Sequence, residues 1–308
     1  MKGYTLKSNN LNYKKLSDLD IKISVLGLGT EQFSRSWGKK ISIREIQKIF
    51  YQATAQGINH IDTAECYGDH ISEKLIGDYI NNKNEWIIAT KFGHAYTKKH
   101  KNDSYDLNSV KLQLENSLRA LKRDYIDIYY FHSGNNEQFF NDDLWGFLNR
   151  EIEKGKIRYL GLSLRHDLVL KKNYEQIKNL KKYGINFVQT VFNYLSQESS
   201  EYVFDECAKN NIYIIGRMPL AKGLLTGKYK SNDDFDIDDP RLKFKLFNNK
   251  AYKIIFNDLR SIPRNQLPKW SISWVLSNPN IISTVVGCKN LKQLNSNLDS
   301  LNFFYTKK

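Results

Sequence analysis

Residues 86–90 read WIIAT and residues 283–287 read STVVG, two short and nearly uninterrupted apolar runs. Such runs are typical of parallel strands covered by helices on both faces. Outward from them, further β-rich runs alternate with longer amphipathic stretches along the whole chain. The eight predicted strands are Val25–Gly29, Ile58–Asp62, Trp86–Lys91, Ile126–His132, Ile157–Ser163, Phe187–Phe192, Ile212–Arg217 and Ile282–Val286.

The stretches between these strands carry helical periodicity. The predicted helices lie near Ile43–Gln56, Ser72–Ile80, Asn108–Leu121, Leu144–Lys154, Leu168–Tyr183, Tyr202–Asn210, Asn265–Ser277 and Leu291–Leu298. Eight β/α units in 308 residues predict an α/β fold, a (β/α)8 TIM barrel. A doubly wound dinucleotide fold fits less well, because the run Gly27-Leu28-Gly29 is followed by Gln32 where the fingerprint needs a third glycine.

A hairpin of Tyr13–Leu16 and Lys22–Ser24 is predicted before the first β/α unit. No Pro/Gly/Ser-rich linker divides the chain, so we expect residues 1–308 to form a single domain. The stretch from Lys228 to about Asn249 lacks periodicity and contains five aspartates, which leaves a binding loop and a solvated acidic loop as equal alternatives.

Composition excludes several classes of protein. The net charge is +14, from 47 basic and 33 acidic residues, yet the lysines form short scattered clusters rather than the single basic face of a nucleic-acid binder. The charge therefore indicates a solvated surface, with attraction of an anionic small molecule as the alternative. No apolar stretch approaches a membrane span or a signal peptide, so we expect a cytoplasmic protein with neither nucleic-acid nor membrane partners.

The three cysteines, Cys66, Cys207 and Cys288, are far apart and form no CxxC pair. Neither a disulfide framework nor a zinc cage is indicated. The predicted strand ends also show no His/Asp/Glu cluster at ligand spacing, so no metal site is predicted and a metal-dependent hydrolase is disfavoured.

Four titratable residues, which we call the tetrad, lie at or just after three consecutive strand ends: Asp62, Tyr67, Lys91 and His132. In a barrel these ends face one cleft, so the four side chains are expected to meet. A tyrosine beside an ammonium group can donate a proton, a buried lysine needs a carboxylate partner, and a histidine can orient a substrate oxygen. Together they favour protonation of a carbonyl oxygen, although each residue alone has an ordinary structural explanation.

Six separated motifs carry a resemblance to the aldo-keto reductase family. They are IDTAECYG (61–68), ATKFG (89–93), SLRALKRDYIDIYYFHS (117–133), EKGKIRYLGLS (153–163), PLAKGLLTGKY (219–229) and VVGCKNLKQLNSNL (285–298). The resemblance implies that the N-terminal hairpin closes the bottom of the barrel. It also implies an NADP(H)-dependent reductase of a small aldehyde, ketone or sugar, with Tyr67 as general acid, Lys91 and Asp62 lowering its pKa, and His132 orienting the carbonyl.

The same resemblance implies a set of cofactor-binding residues in addition to Asp62. They are Gly29 and Thr30 beneath the nicotinamide, Ser163 and Gln189 at its carboxamide, Arg217 at its ring, Pro219, Leu220, Gly223 and Lys228 around the pyrophosphate, and Gly287, Lys289, Gln293 and Asn297 at the adenosine. Lys289 is expected to meet a 2′-phosphate.

Three residues depart from the family's usual pattern: Leu164 replaces an asparagine, Arg217 an aromatic residue and Ser296 an acid. The guanidinium of Arg217 can stack on a ring or reach a substrate anion.

The substrate site is expected to involve aromatic and polar residues from the loops. They are Phe33, Arg35, Trp37, Tyr67, Phe92, His132, Asn193 and Arg217. The pattern does not distinguish simple aldehydes from free or nucleotide-linked sugars, nor does it give an oligomeric state. A second hypothesis is an NADP(H)-binding regulatory subunit of the channel-associated type with little turnover.

Overall fold

Eight parallel strands close into a barrel in the computed structural model, which describes residues 12–34, 40–94, 96–97, 100–101, 104–165, 175–235, 239–243 and 248–303. Two further pairs of short strands lie outside the barrel. In chain order the strands are β1 (Tyr13–Leu16), β2 (Ile21–Ser24), β3 (Leu26–Gly29), β4 (His60–Asp62), β5 (Ile87–Phe92), β6 (Tyr96–Thr97), β7 (His100–Lys101), β8 (Ile126–His132), β9 (Ile157–Ser163), β10 (Ile185–Val191), β11 (Tyr213–Arg217) and β12 (Ile281–Gly287). The barrel order β3-β4-β5-β8-β9-β10-β11-β12 confirms the predicted fold class.

The helices surround the barrel. They are α1 (Ile43–Ala55), α2 (Ile71–Tyr79), α3 (Leu107–Leu121), α4 (Asn136–Phe139), α5 (Asp142–Glu153), α6 (Ser199–Tyr202), α7 (Phe204–Lys209), α8 (Asn249–Asn257), α9 (Leu267–Leu276) and α10 (Leu291–Asp299). Polar residues accept backbone N–H groups at several of their starts, such as Ser42 before α1, Asp106 before α3 and Asn290 before α10. No helix among the described residues is both long and apolar enough to cross a bilayer.

Two predicted helices differ from the structure. The prediction over Leu168–Tyr183 lies partly outside the described residues; residues 175–178 are helical and Lys181–Tyr183 form a 3-10 turn. The helix predicted over Tyr202–Asn210 is instead two short helices that meet at Val203. The pattern also missed α4 and α8, the first because a single turn has no periodicity to detect.

The predicted N-terminal hairpin is present as β1 and β2. Its buried side chains, Leu16, Ile21 and Ile23, belong to the same apolar cluster as the inward-facing side chains of the barrel strands, among them Ile128 and Phe187. The Ser283 hydroxyl of β12 donates to the carbonyl of Ser24 at 2.8 Å. The hairpin therefore covers the end of the barrel where the strands begin.

Alternation along the strands decides what fills the barrel, because successive side chains point to opposite faces. Tyr130 points inward from β8 across Gly161 on β9, its partner in the register. A Cβ at Gly161 would lie 2.2 Å from the Tyr130 ring. The glycine thus makes room for a large side chain in the middle of the barrel.

Candidate active site

The last inward-facing position of every barrel strand lies at the carboxyl end, where the strands meet the βα loops. Because the strand period is two, the residue two positions earlier on each strand faces the same interior. We call the last inward-facing residues of the eight strands the upper layer, and the inward-facing residues two positions earlier the lower layer. The upper layer comprises Gly29, Asp62, Lys91, His132, Ser163, Gln189, Arg217 and Gly287. Each of the eight barrel strands thus contributes one predicted catalytic or cofactor residue to this layer.

Lys91 and Asp62 form a buried ion pair in this layer. The Lys91 ammonium lies 2.7 Å from Asp62 Oδ1 and donates a second hydrogen bond of 2.7 Å to the carbonyl of Thr63. Lys91 is 1% exposed and Asp62 4%. A buried charge is tolerated only when it is paired and hydrogen-bonded, and each partner supplies this for the other.

The second oxygen of Asp62 extends the network to the opposite side of the barrel. The Gln189 amide donates to Asp62 Oδ2 at 2.7 Å, and the Ser163 hydroxyl donates to Gln189 Oε1 at 3.2 Å. Thr30, also predicted at the cofactor, is fully buried and donates to the Asp62 carbonyl at 2.9 Å. Ser163, Gln189 and Thr30 therefore fix the position of Asp62.

Tyr67 lies in the loop after β4, half-buried, with the Lys91 ammonium 5.1 Å from the centre of its ring. Burial raises the pKa of the Tyr67 phenol well above its usual value; Glu31 and Asp62 add to the increase, and the Arg217 guanidinium opposes it. This direction is opposite to the predicted lowering of the Tyr67 pKa by Lys91, whose ammonium donates to Asp62 and Thr63 instead. The phenol consequently stays protonated at neutral pH, the form that a general acid requires.

His132 ends β8 beside Tyr67, with the two ring centres 6.5 Å apart and nearly perpendicular. Burial lowers the pKa of the imidazole well below its usual value, and His94, Lys91 and Arg217 act in the same direction. The Tyr105 hydroxyl donates to the His132 carbonyl and holds the end of the strand. His132 is therefore a neutral imidazole that can accept or donate a hydrogen bond.

Arg217 ends β11, half-buried, and its guanidinium donates to the carbonyl of Leu164 at 2.6 Å. Two of the three departures from the family pattern are thus in direct contact. The Nε of Arg217 is buried without a hydrogen-bond partner among the described residues. Burial lowers the pKa of Arg217, while Tyr67, Asp62 and Glu31 raise it, so the guanidinium lies within electrostatic range of the tetrad.

The loop after β11 has an unusual backbone. Met218, Ala221, Lys222, Gly223 and Gly227 all have positive φ angles. Gly223, at φ 105°, has a conformation that side chains rarely adopt. Of the other predicted phosphate contacts, Pro219 is buried, Leu220 packs against the core, and Lys228 is exposed with its ammonium 5.3 Å from the Tyr229 ring centre.

The turn after β12 contains the predicted adenosine residues. Gly287 pairs with Gly29, and a Cβ on Gly29 would lie 3.3 Å from the Gly287 nitrogen. Gln293 is exposed and accepts the backbone N–H of Lys289 at 2.8 Å, which caps α10. Asn297 is 4% exposed and donates to the carbonyl of Gly287 at 3.4 Å. Three of these residues thus shape the turn, and Lys289 stands half-buried beside it.

Phe33, Phe92 and Asn193 were predicted to contact the substrate, and all three side chains are 0% exposed in the structure. Phe33 packs edge-on against Phe50 under α1, and Phe92 packs against the Phe131 ring. Asn193 donates to the Met218 carbonyl at 3.0 Å and accepts from the backbone of Leu195. These residues support the loops instead. Arg35 and Trp37 lie outside the described residues.

Two basic residues near the site were not predicted as cofactor contacts from the sequence. Lys222 and Arg241 contribute cations: burial lowers the pKa of Lys222, Glu31 opposes this, and Arg217 and Arg241 add to it. Arg241 forms an ion pair with Asp239, and both influence Lys289. Arg241 belongs to the stretch without periodicity, so only its position in the fold reveals it.

The buried carboxyl of Glu65 braces two strand ends. It accepts the backbone N–H groups of Gly93 at 2.8 Å and His94 at 3.0 Å. Burial raises its pKa to about 8, and Glu73 adds to the increase. Glu65 thereby joins the loop that carries Tyr67 to the end of β5.

Comparisons with known proteins agree with this architecture. The Aldo/keto reductase family matches residues 25–308. The Schizosaccharomyces pombe protein named aldo-keto reductase yakc, with NADP(+) in its name, is 30% identical over 83% of this chain and 77% of its own. A probable voltage-gated potassium channel subunit beta of Arabidopsis thaliana is 25% identical over 94% of this chain and 91% of its own.

Among solved structures, an aldo-keto reductase from Bacillus halodurans in its holo form matches with a TM-score of 0.79. It covers 97% of this chain and 93% of its own, with 20% identity, and therefore supports the fold alone. Together with the family match over nearly the whole sequence, the barrel and its upper layer define the class of protein. The chain belongs to the aldo/keto reductase family, a family of oxidoreductases.

Proposed function

We propose that this protein reduces the carbonyl group of a small aldehyde, ketone or sugar with NADP(H) as cofactor. The observation that carries the proposal is the single layer that holds Asp62, Lys91 and His132 around Tyr67. A phenol, a paired ammonium and a neutral imidazole at one barrel end are the groups needed to bind and protonate a carbonyl oxygen.

The residues present fit a phosphate-bearing cofactor. Lys222, Arg241 and Lys289 provide cations around the loops after β11 and β12, close enough to affect one another's pKa values. Phosphate groups pair readily with such cations. Gly29 and Gly287 contribute no side chains to this end of the barrel, and a Cβ at Gly287 would lie 2.1 Å from the Gln32 amide, which occupies the space beside it. Lys289, Lys222 and Arg241 would hold the phosphates, with the loop of residues 218–227 beside them.

When bound, the cofactor supplies the hydride that reaches the carbonyl carbon. Side chains of the protein supply the proton. His132 donates a hydrogen bond that fixes the carbonyl oxygen, and the Tyr67 hydroxyl gives its proton to that oxygen as the alcohol forms. Lys91, held by Asp62 and Thr63, keeps a positive charge beside the tyrosinate that remains and stabilises it. Bulk solvent then returns the proton to Tyr67.

The hydroxyl of Tyr67 provides the direct test. Tyr67→Phe should lower kcat for NADPH-dependent reduction by about 10²–10⁴-fold, the usual contribution of a general acid. Binding of NADPH should change less than about twofold, because the hydroxyl acts only on the substrate oxygen. A panel of aldehydes, ketones and sugars, followed by NADPH oxidation, supplies the substrate for this measurement.

Tyr130→Phe is the matched control. It removes the same atom from an inward-facing tyrosine one layer lower, whose hydroxyl is buried and has no partner in the described residues. Its activity should equal that of the wild type. If Tyr67→Phe retained most of the wild-type kcat, the assignment of the acid would fail.

A regulatory subunit that binds NADP(H) and turns over slowly is the second candidate, favoured by the relative named as a potassium channel subunit beta. The two functions differ in one measurement. Tight NADPH binding without oxidation across the whole carbonyl panel would support the regulatory role. Turnover of any member by the wild type, lost in Tyr67→Phe, would support the reductase.

We also propose that residues 1–308 act as one domain. The barrel is closed by strands drawn from residue 26 to residue 287, so no part of this range can fold as a separate barrel. A single cooperative unfolding transition seen by both fluorescence and circular dichroism would support this, and two separated transitions would oppose it.

A further inference from the structure

Three potential metal ligands meet next to the tetrad. Cys66, His94 and His132 each present one ligand atom, and these atoms all lie within 4.8 Å of one another. Among the residues that the structure describes, this is the one group of three such side chains at that separation. No sequence motif predicts this group, because its members come from the ends of three strands that are far apart in the chain.

The geometry is close to that of a coordination site. Cys66 Sγ lies 3.7 Å from His132 Nδ1, and the His94 and His132 rings stack with centres 4.3 Å apart. In a tetrahedral zinc site, bond lengths of about 2.0–2.3 Å place neighbouring ligand atoms about 3.3–3.6 Å apart. The sulfur and the His132 nitrogen are already near this separation, so a side-chain movement that brings the His94 ligand atom about 1 Å closer would complete the set.

The same pair does not suit nucleophilic catalysis. A cysteine nucleophile needs a lowered thiol pKa beside a histidine that accepts its proton. Here burial raises the pKa of the Cys66 thiol, and burial lowers the pKa of the His132 imidazole. Both groups are neutral, and a bound cation is what would displace the thiol proton.

The charges around the trio are mixed. Glu65, Glu31 and Glu73 lie within electrostatic range of Cys66, and Lys91 lies within range of both Cys66 and His132. Arg217 adds a further positive charge near His132. The ligand atoms therefore decide which metal ion binds, and one sulfur with two imidazoles suits Zn²⁺ and other thiophilic ions.

We propose that Cys66, His94 and His132 form a binding site for a thiophilic divalent cation such as Zn²⁺. All three side chains are half-buried. Three protein ligands leave the fourth position of a tetrahedral ion to water or another small ligand. On the proposed function, the bound ion holds the His132 ring through Nδ1, beside the position of the substrate oxygen, and inhibits the reductase reversibly. Zn²⁺ is here an inhibitor and not a cofactor.

Binding is tested first, on full-length apoprotein without a histidine tag. Co²⁺ should produce a thiolate-to-metal charge-transfer band in the near ultraviolet, and a competing chelator should give the Zn²⁺ affinity. Cys66→Ala should abolish the band and weaken Zn²⁺ binding more than about 100-fold, since loss of a direct ligand exceeds the effect of losing a neighbour of a ligand. His94→Gln should weaken Zn²⁺ binding while keeping the protein's own thiol.

Cys207→Ala is the matched control, because it removes a buried cysteine that is remote in sequence from the half-buried Cys66. It should keep both the band and the affinity within about twofold. Absence of the cobalt band in the wild type, or an equal band in Cys66→Ala, would overturn the site. Circular dichroism of each variant verifies its fold.

Inhibition is tested separately. Zn²⁺ should inhibit carbonyl reduction competitively with the carbonyl substrate, EDTA should restore the rate, and Cys66→Ala should be at least about tenfold less sensitive. The two proposals fail in different ways. A cobalt–thiolate band in a protein that reduces no carbonyl would support the metal site and contradict the reductase function. Carbonyl turnover without the band would support the reductase function and contradict the metal site.

Discussion

The two ends of the barrel interior are built from the same strands yet have opposite chemistry. On β5, Ala89 and Lys91 both point inward, and on β10 so do Phe187 and Gln189. The lower residue of each pair packs with the apolar side chains that the hairpin covers. The upper residue belongs to the hydrogen-bond network around Asp62. A step of two residues along one strand thus separates packing from candidate chemistry.

The difference shows how a barrel accommodates buried charge. The lower layer gains free energy from apolar burial, at roughly 25 cal/mol per Å². The upper layer must offset desolvation of Lys91 and Asp62 by mutual pairing and by the amide of Gln189. Substitutions in the upper layer should therefore affect activity first, and those in the lower layer stability first.

The largest combined effect is expected from Lys91→Met in the upper layer. Loss of the ammonium leaves Asp62 buried without its ionic partner, which typically costs about 3–5 kcal/mol of unfolding free energy. We also expect kcat to fall at least about 100-fold, because the tyrosinate at Tyr67 loses its nearby cation. Chemical denaturation and NADPH-dependent turnover measure the two effects.

The double variant Lys91→Met with Asp62→Asn separates these consequences. It has no unpaired buried charge, so part of the lost stability should return. Activity should stay low, because the cation remains absent. If turnover returned together with stability, Lys91 would have only a structural role.

Phe187→Ala makes the opposite change in the lower layer. Phe187 is fully buried, with the Tyr159 and Tyr213 ring centres each 5.9 Å away. Truncation should cost about 3–5 kcal/mol of unfolding free energy through the cavity it leaves. Turnover per folded molecule should change less than about twofold. Phe140→Ala, at a side chain 42% exposed, should leave stability nearly unchanged. A large loss of turnover in Phe187→Ala would show that the layers are coupled.

The sequence predicted the barrel and its tetrad for a physical reason. Eight strands of period two, such as Ile126–His132, fix which residues face inward, and catalytic groups follow where strands end. The full burial of Phe33 and Phe92 was not predicted, because an aromatic residue near a loop packs equally well inward or toward the cleft. The trio of Cys66, His94 and His132 depends on how two loops meet the end of β8, which no local pattern records.

His60 is the titratable exception in the lower layer, on the same strand as Asp62. It is fully buried, and burial lowers its pKa to about 4, with Asp62 opposing and Lys91 adding to the shift. The folded protein therefore binds fewer protons than the unfolded chain between pH 6.5 and 4, and this contribution to stability is lost as the pH falls through that range. A pKa shift of this size corresponds to about 3 kcal/mol of unfolding free energy.

His60→Gln should flatten the fall of unfolding free energy between pH 7 and pH 4.5, as measured by urea denaturation. His70→Gln is the control of opposite sign. Burial lowers the pKa of His70, but its hydrogen bond to Glu73 and the charge of Glu73 outweigh burial and raise it. The stability from His70 is therefore present at low pH and lost as the pH rises. If His60→Gln left the slope of unfolding free energy against pH unchanged, His60 would become protonated without unfolding of the protein.

The smallest effect is expected at the rim of the upper end, where Lys289→Ala tests the proposed 2′-phosphate contact. A hydrogen bond to a charged group contributes about 1.5–3 kcal/mol, so NADPH binding should weaken roughly 10- to 100-fold. NADH lacks that phosphate and should bind about equally to both proteins. Lys292→Ala, which removes an exposed lysine three residues later, controls for the change in net charge. Equal weakening of NADPH and NADH binding, measured by fluorescence titration, would mean that Lys289 only stabilises the turn. The 2′-phosphate would then be bound by Arg241 and Lys222.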